Sequence, residues 1–171
     1  MEIIENERCP FCRKKALTLT EDEQDIPYFG KVFIFSMNCS SCNYKKADIE
    51  AAERKEPCKI NFEITSAKDM EVRVVKSSEA AVKVPQLKME VTPGPNSEGY
   101  ISNIEGVLYR FKKIIEDERD ASEDDETRDN AKNLLKKILK AELGETHLKI
   151  IIEDPSGNSA IISEKAVIAK L

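Results

Sequence analysis

Four of the five cysteines in this 171-residue chain form two Cys-x2-Cys pairs, Cys9/Cys12 and Cys39/Cys42, with 26 residues between them. Two residues between cysteines let one tight turn aim both sulfurs at a single ion, and four thiolates match the tetrahedral preference of zinc. Pro10 stiffens the first turn. Asn43 follows the second pair, where left-handed backbone is often needed and Asn tolerates it. Four sulfurs close the coordination sphere, so the chemistry is structural. A catalytic zinc keeps one position open and draws on His or carboxylate ligands, and the single histidine, His147, lies far along the chain. A thioredoxin-type redox pair needs a βαβ pattern around it, and neither pair has one. Cys58 stands alone at the start of an alternating run, as a buried free thiol does.

The segment that must bring the two pairs together, "IPYFGKVFIFSMNCSSC", is rich in apolar and aromatic residues. A spacer of 26 exceeds the roughly 15–20 usual between such pairs, which predicts a long hairpin. Alternation sends Val32 and Ile34 to one face and Phe33 and Phe35 to the other. A ribbon over residues 1–50 has almost no core, and metal binding supplies its stability, on the order of 10 kcal/mol or more. It cannot bury these side chains alone. One face is expected to dock on the rest of the chain; the other, with the tip holding Tyr28 and Phe29, either packs as well or meets a partner.

Residues 51–171 read as a second, β-rich domain. "CKINFEI" alternates Ile60, Phe62 and Ile64, and "MEVRVV" alternates Met70, Val72 and Val74. "AAVKVPQLKMEV" is strand-like with Pro85 as an edge or a break. The period then changes over about 102–144, predicting an inserted antiparallel pair of helices. Ile104, Val107, Leu108, Phe111, Ile114 and Ile115 share one helical face; Ala131, Leu134, Leu135, Ile138 and Leu139 share the next. Ser102 with Glu105, and Ser122 with Asp125, are expected as caps, and Gly144 closes the second helix. "THLKIIIED", "AIIS" and "AVIAKL" return to strands around the turn "DPSGNS", with Asp154 capping it and Gly157 taking unusual angles.

Net charge is −5, yet residues 116–129 hold nine acids and two arginines, a local −7, leaving +2 elsewhere. The acids suit a helix N-terminus or a basic partner. No dense basic stripe of the kind that phosphate backbones require is present, which argues against nucleic acid, although Lys14, Lys15, Lys45 and Lys46 flank the cysteine pairs. No apolar run reaches membrane-spanning length and the start lacks a signal-peptide pattern, so a soluble, cytoplasmic protein is expected, consistent with reduced cysteines.

"CPFC", "IPYFGKVFIFSMNCSSCNYKKADI", "VRVVKSSEAAVKVPQLKMEV", "GYISNIEGVL" and "IIIEDPSGNS" occur in the order seen in ZPR-type zinc-finger proteins, and the chain resembles their archaeal, single-module form. Asn43 stands where Gly is common in that family, and "ADIE" at 47–50 departs from an Asn-rich eukaryotic version. The resemblance implies a mostly β protein with α: a four-cysteine zinc ribbon, then a double-stranded β-helix-like domain carrying the helical hairpin. It implies one structural zinc on Cys9, Cys12, Cys39 and Cys42. It also implies a non-enzymatic role in binding translation elongation factor 1-alpha as a folding or nucleotide-state-selective chaperone, with no small-molecule substrate. The partner surface expected for that role joins Tyr28 and Phe29 to the basic residues Arg73 and Lys76. The competing reading is a nucleic-acid-binding ribbon of the transcription or translation machinery. An enzyme of β-helix type needs converging His and carboxylate metal ligands, which one histidine does not supply.

Overall fold

The computed structural model describes residues 1–26 and 30–171. Strands β1 (Glu2–Arg8), β2 (Lys15–Ile26), β3 (Gly30–Cys39) and β4 (Lys45–Ala51) form one antiparallel sheet in chain order. β2 and β3 pair continuously from Leu17 opposite Cys39 to Ile26 opposite Gly30, the long hairpin that the wide cysteine spacing predicts. Tyr28 and Phe29 lie outside the described residues.

The rest of the chain builds two further sheets and a helical pair. β5 (Cys58–Ile64), β6 (Arg73–Lys76), β7 (Ala81–Val84), β8 (Met89–Val91) and β9 (Tyr100–Asn103) precede α1 (Ile104–Ala121) and α2 (Asp125–Glu142). β10 (Leu148–Asp154), β11 (Ala160–Ile161) and β12 (Val167–Lys170) follow. One sheet runs β12-β5-β10-β7-β8, the other β11-β6-β9. Alternation fills their shared core. Ile60, Phe62 and Ile64 of β5 and Leu148, Ile150 and Ile152 of β10 are fully or almost fully buried, with Val74 of β6 and Val107, Leu108 and Phe111 of α1. Among the described residues, no helix is long and apolar enough to cross a membrane.

Several local expectations give way to specific hydrogen bonds. Met70 is not in a strand. The chain turns through a short 3-10 helix at Ala67–Glu71, because the Asp69 carboxylate accepts from the amides of Thr65 (2.8 Å) and Ser66 (3.0 Å) and from the Lys165 ammonium (2.7 Å). Pro85 ends β7, which lies inside its sheet rather than at the edge; the missing donor is harmless because a 3-10 turn, Pro85–Leu87, starts there. The helix caps fall one and two residues past the expected serines, Ser102 and Ser122. Asn103 accepts from the Gly106 amide (2.8 Å), and Asp124 from that of Thr127 (2.8 Å). Gly144 does close α2, with a φ of +76°. Ile114 and Leu139, expected on the buried faces, are exposed.

The "DPSGNS" turn welds the two parts of the chain. The buried face of β10 ends on a carboxylate, Asp154, with no exposed surface. It accepts from the Ser156 amide (2.8 Å), the Ser156 hydroxyl (2.7 Å) and the Ser159 hydroxyl (2.5 Å). Burial pushes its pKa up, but these donors outweigh that and hold it below the ordinary value. Gly157 has a φ of +69°, and a side chain there would run into the carbonyl of Glu56. The connection between ribbon and β domain thus lies directly against this turn, and the Lys55 amide donates to Ser156 O at 3.0 Å.

Candidate metal centre and partner surface

The two cysteine turns are built alike. Cys9 accepts from the amide of Arg13 (2.9 Å) and Cys39 from that of Asn43 (3.0 Å), while the amides of Cys9 and Cys39 donate to the carbonyls of Lys14 and Tyr44, each at 2.9 Å. Closing each turn needs left-handed backbone one residue past the second cysteine, supplied by Arg13 (φ 63°) and Asn43 (φ 56°). The left-handed role read for Asn43 therefore has a counterpart at Arg13, where the residue type gives no sign of it. Phe11 and Tyr44 stack across the pair of turns, with ring centroids 6.1 Å apart.

The four sulfurs converge within 4.8 Å of one another, with Cys9 to Cys42 at 3.8 Å and Cys12 to Cys39 at 3.7 Å. Zinc bonded to thiolates at about 2.3 Å sits in a tetrahedron with edges of roughly 3.8 Å. The sulfurs fit that ion. Their own electrostatics call for it too. Burial pushes the Cys39 thiol up, yet the amides of Cys42 and Ser41 donate to it and bring it to about 7. The Tyr44 amide favours the thiolate of Cys42, but burial and the three neighbouring sulfurs outweigh it and push that thiol to about 12. Four thiolates at this spacing repel, and a divalent cation removes the penalty. Cys58 stays apart, half-buried at the head of β5, its thiol raised by burial and by Asp154.

The ribbon docks by one face, as alternation requires. Val32, fully buried, packs with Ile26 and with Val75 of β6, flanked by Ile34, Ile49, Ile101 and Ala160. Asp48 accepts from the Gly99 amide at 2.7 Å and Lys46 pairs with Glu98 at 3.5 Å, fixing β4 beside β9. β6 is thereby covered on both sides, Val74 in the domain core and Val75 under the ribbon.

That sandwich corrects the expectation for Lys76. Arg73 is exposed, but Lys76, three residues on, faces the other side of the strand and is only 5 % exposed. Its ammonium donates to Ser77 O at 2.9 Å, and burial lowers its pKa against the pull of Asp154. Arg73 and Lys76 do not share a surface.

The opposite face of the ribbon is not covered by the β domain. Ile4, Leu19 and Met37 sit side by side across β1, β2 and β3, and Phe35 and Phe33 continue the row along β3. All five are half-buried or exposed, and Glu21, Glu23 and Glu50 border them in register. Phe33 and Phe35 were assigned to this face by alternation; the register that adds Ile4, Leu19 and Met37 depends on strand pairing that spacing does not reveal.

Comparison with known proteins agrees with this architecture. Residues 2–57 match the model of the ZPR1 zinc-finger domain and residues 68–169 that of the ZPR1 jelly-roll domain, the fold expected above as a double-stranded β-helix. An uncharacterized ZPR1-like protein of Methanocaldococcus jannaschii is 39% identical over 96% of this chain and 83% of its own length. Another, from Pyrococcus horikoshii, is 36% identical over 95% of this chain and 75% of its own. A protein of Schizosaccharomyces pombe named zinc finger chaperone zpr1 is 30% identical over 80% of this chain but only 30% of its own length. With the four cysteines set to hold one zinc ion and the helical hairpin carried on a jelly roll, the chain belongs to the ZPR1 family of zinc-finger proteins.

Proposed function

We propose that this protein is a non-enzymatic, zinc-stabilised chaperone of the cytoplasm that binds translation elongation factor 1-alpha through its ribbon. The observation that carries the reading is the uncovered row Ile4, Leu19, Met37, Phe35 and Phe33. Contiguous apolar side chains rimmed by charge mark a protein-interaction surface, and the acidic rim suits a client with basic residues around an apolar patch. The closed tetrathiolate gives the surface a rigid base without an open coordination position for catalysis. The fission-yeast relative's name, zinc finger chaperone, points the same way.

The double variant Phe33→Ala with Phe35→Ala tests the reading. Both side chains lie on the uncovered face, so the variant should keep its zinc and its thermal midpoint within a few degrees. Its affinity for recombinant elongation factor 1-alpha, measured by calorimetry, should fall by at least about tenfold, the effect of losing a small interface anchor cluster. Unchanged affinity in a folded, zinc-loaded variant would exclude this face.

A further inference from the structure

Between the docked side of the ribbon and α1 lies an open cleft of about 1410 Å³, larger than the roughly 300–1,000 Å³ of small-molecule sites. Its walls are apolar, with Ile34 and Ile49 on the ribbon and Tyr109 and Ile114 on α1. Its floor is cationic. The Arg110 guanidinium lies 4.0 Å from the centroid of the Tyr100 ring, and the Lys76 ammonium lies 5.6 Å from it. Lys76 is almost fully buried, and among the described residues one of its three N–H donors is used, on Ser77 O.

Neither cation is ion-paired among the described residues. The carboxylates nearest Lys76 are engaged elsewhere, Asp154 by Ser156 and Ser159, and Asp48 by the amides of Gly99 and Ile49. Of the rim lysines, Lys46 pairs with Glu98 and Lys113 with Glu116, while Lys45 has no ion pair among the described residues. Two positive groups sharing one ring, neither bonded directly to a carboxylate, repel each other, and an anion seated between them reverses the sign of that interaction. A guanidinium fork suits a carboxylate.

We propose that this cleft binds a polypeptide segment in which Asp or Glu stands among apolar side chains, one carboxylate seating on Lys76 and Arg110 above Tyr100. The proposal deepens the chaperone reading and rests on it in taking a protein client as the occupant. A nucleic acid would need a run of cations along the backbone, whereas among the described residues Lys45, Lys76 and Arg110 are the lining cations without an ion pair, and the walls are largely apolar.

The test uses the full-length, zinc-loaded protein and short fluorescein-labelled peptides in which leucine alternates with glutamate, glutamine or lysine. Fluorescence anisotropy should show the glutamate peptide binding about tenfold tighter than the glutamine one, the scale of a charge-assisted contact, and the lysine peptide not at all. Arg110→Gln, at an exposed helix position, should weaken the glutamate peptide about tenfold and abolish the preference at unchanged zinc content. Lys76→Met should do the same; if it does not fold, Arg110→Gln alone decides. Equal binding of the glutamate and glutamine peptides, or indifference to Arg110→Gln, overturns the proposal. So does an oligouridine probe that binds the wild type and is lost in that variant. The two readings fail separately. If elongation factor 1-alpha binds wild type and Arg110→Gln alike while the peptides show no preference, the cleft proposal falls and the chaperone reading stands. If the glutamate preference holds but the factor does not bind, the client is another protein.

Discussion

Asp69 shows how a single carboxylate decides local structure. Burial pushes its pKa up, but the Lys165 ammonium and the Thr65 and Ser66 amides outweigh that and hold it at about 2. A carboxylate depressed in the folded state stabilises the fold at pH above its unfolded value near 3.8, and that contribution is lost as pH falls towards 2. Between pH 5 and 2, urea melts followed on the helical signal should show about 2 kcal/mol lost through this group, and Asp69→Asn should remove most of that pH dependence. Gly157 acts at the same scale by different means. Gly157→Ala places a methyl group against the Glu56 carbonyl at a left-handed backbone position, so the fold should lose at least about 2 kcal/mol. Equilibrium unfolding would measure it; a loss below half that would mean the linker moves aside without cost.

At the scale of elements, the helical hairpin is an insertion held by its ends and by one apolar stripe. Asn103 and Asp124 satisfy the first free amides of α1 and α2, and Lys112 reaches Glu142 across the pair at 3.2 Å. Asn103→Ala should cost about 1 kcal/mol of stability, read as a shift of the unfolding midpoint at unchanged slope. The acids near the tip have ordinary work to do: Asp124 caps α2, Asp125 and Glu126 face its N-terminal dipole, and Arg119 and Arg128 pair with Asp120 and Asp125. The ribbon depends on more than its own strands. β3 is buried on one side only because β6 and β9 supply Val75 and Ile101.

At the scale of the molecule, the described residues form three apolar clusters: the jelly-roll core, the ribbon–domain interface around Val32, and a small group at the metal centre formed by Cys9, Leu17 and Cys39. Stability should divide accordingly. Chelating the zinc, or replacing Cys12 with Ser, should remove the metal-derived contribution, on the order of 10 kcal/mol, from the ribbon alone. Amide exchange should then lose protection in β1–β4 while Ile60, Phe62 and Ile150 keep theirs. Simultaneous loss in both regions would show that the two parts fold as one unit. The chaperone reading requires the first outcome, because its apolar surface is displayed on metal-held strands.

Spacing alone determined the metal centre. Ligand chemistry is local: two residues between cysteines set the turn, four sulfurs set the ion, and the alternating run between the pairs set the hairpin and its two faces. The helical pair was equally legible, since a 3-4 apolar period survives any tertiary context, although the caps moved by one and two residues where Asn103 and Asp124 outcompeted nearby serines. Which face of the ribbon is covered, the burial of Lys76 and the cation pair above Tyr100 came only from the fold. Each depends on contacts between residues distant in the chain, such as β6 lying between core and ribbon, and alternation counts faces without saying what covers them.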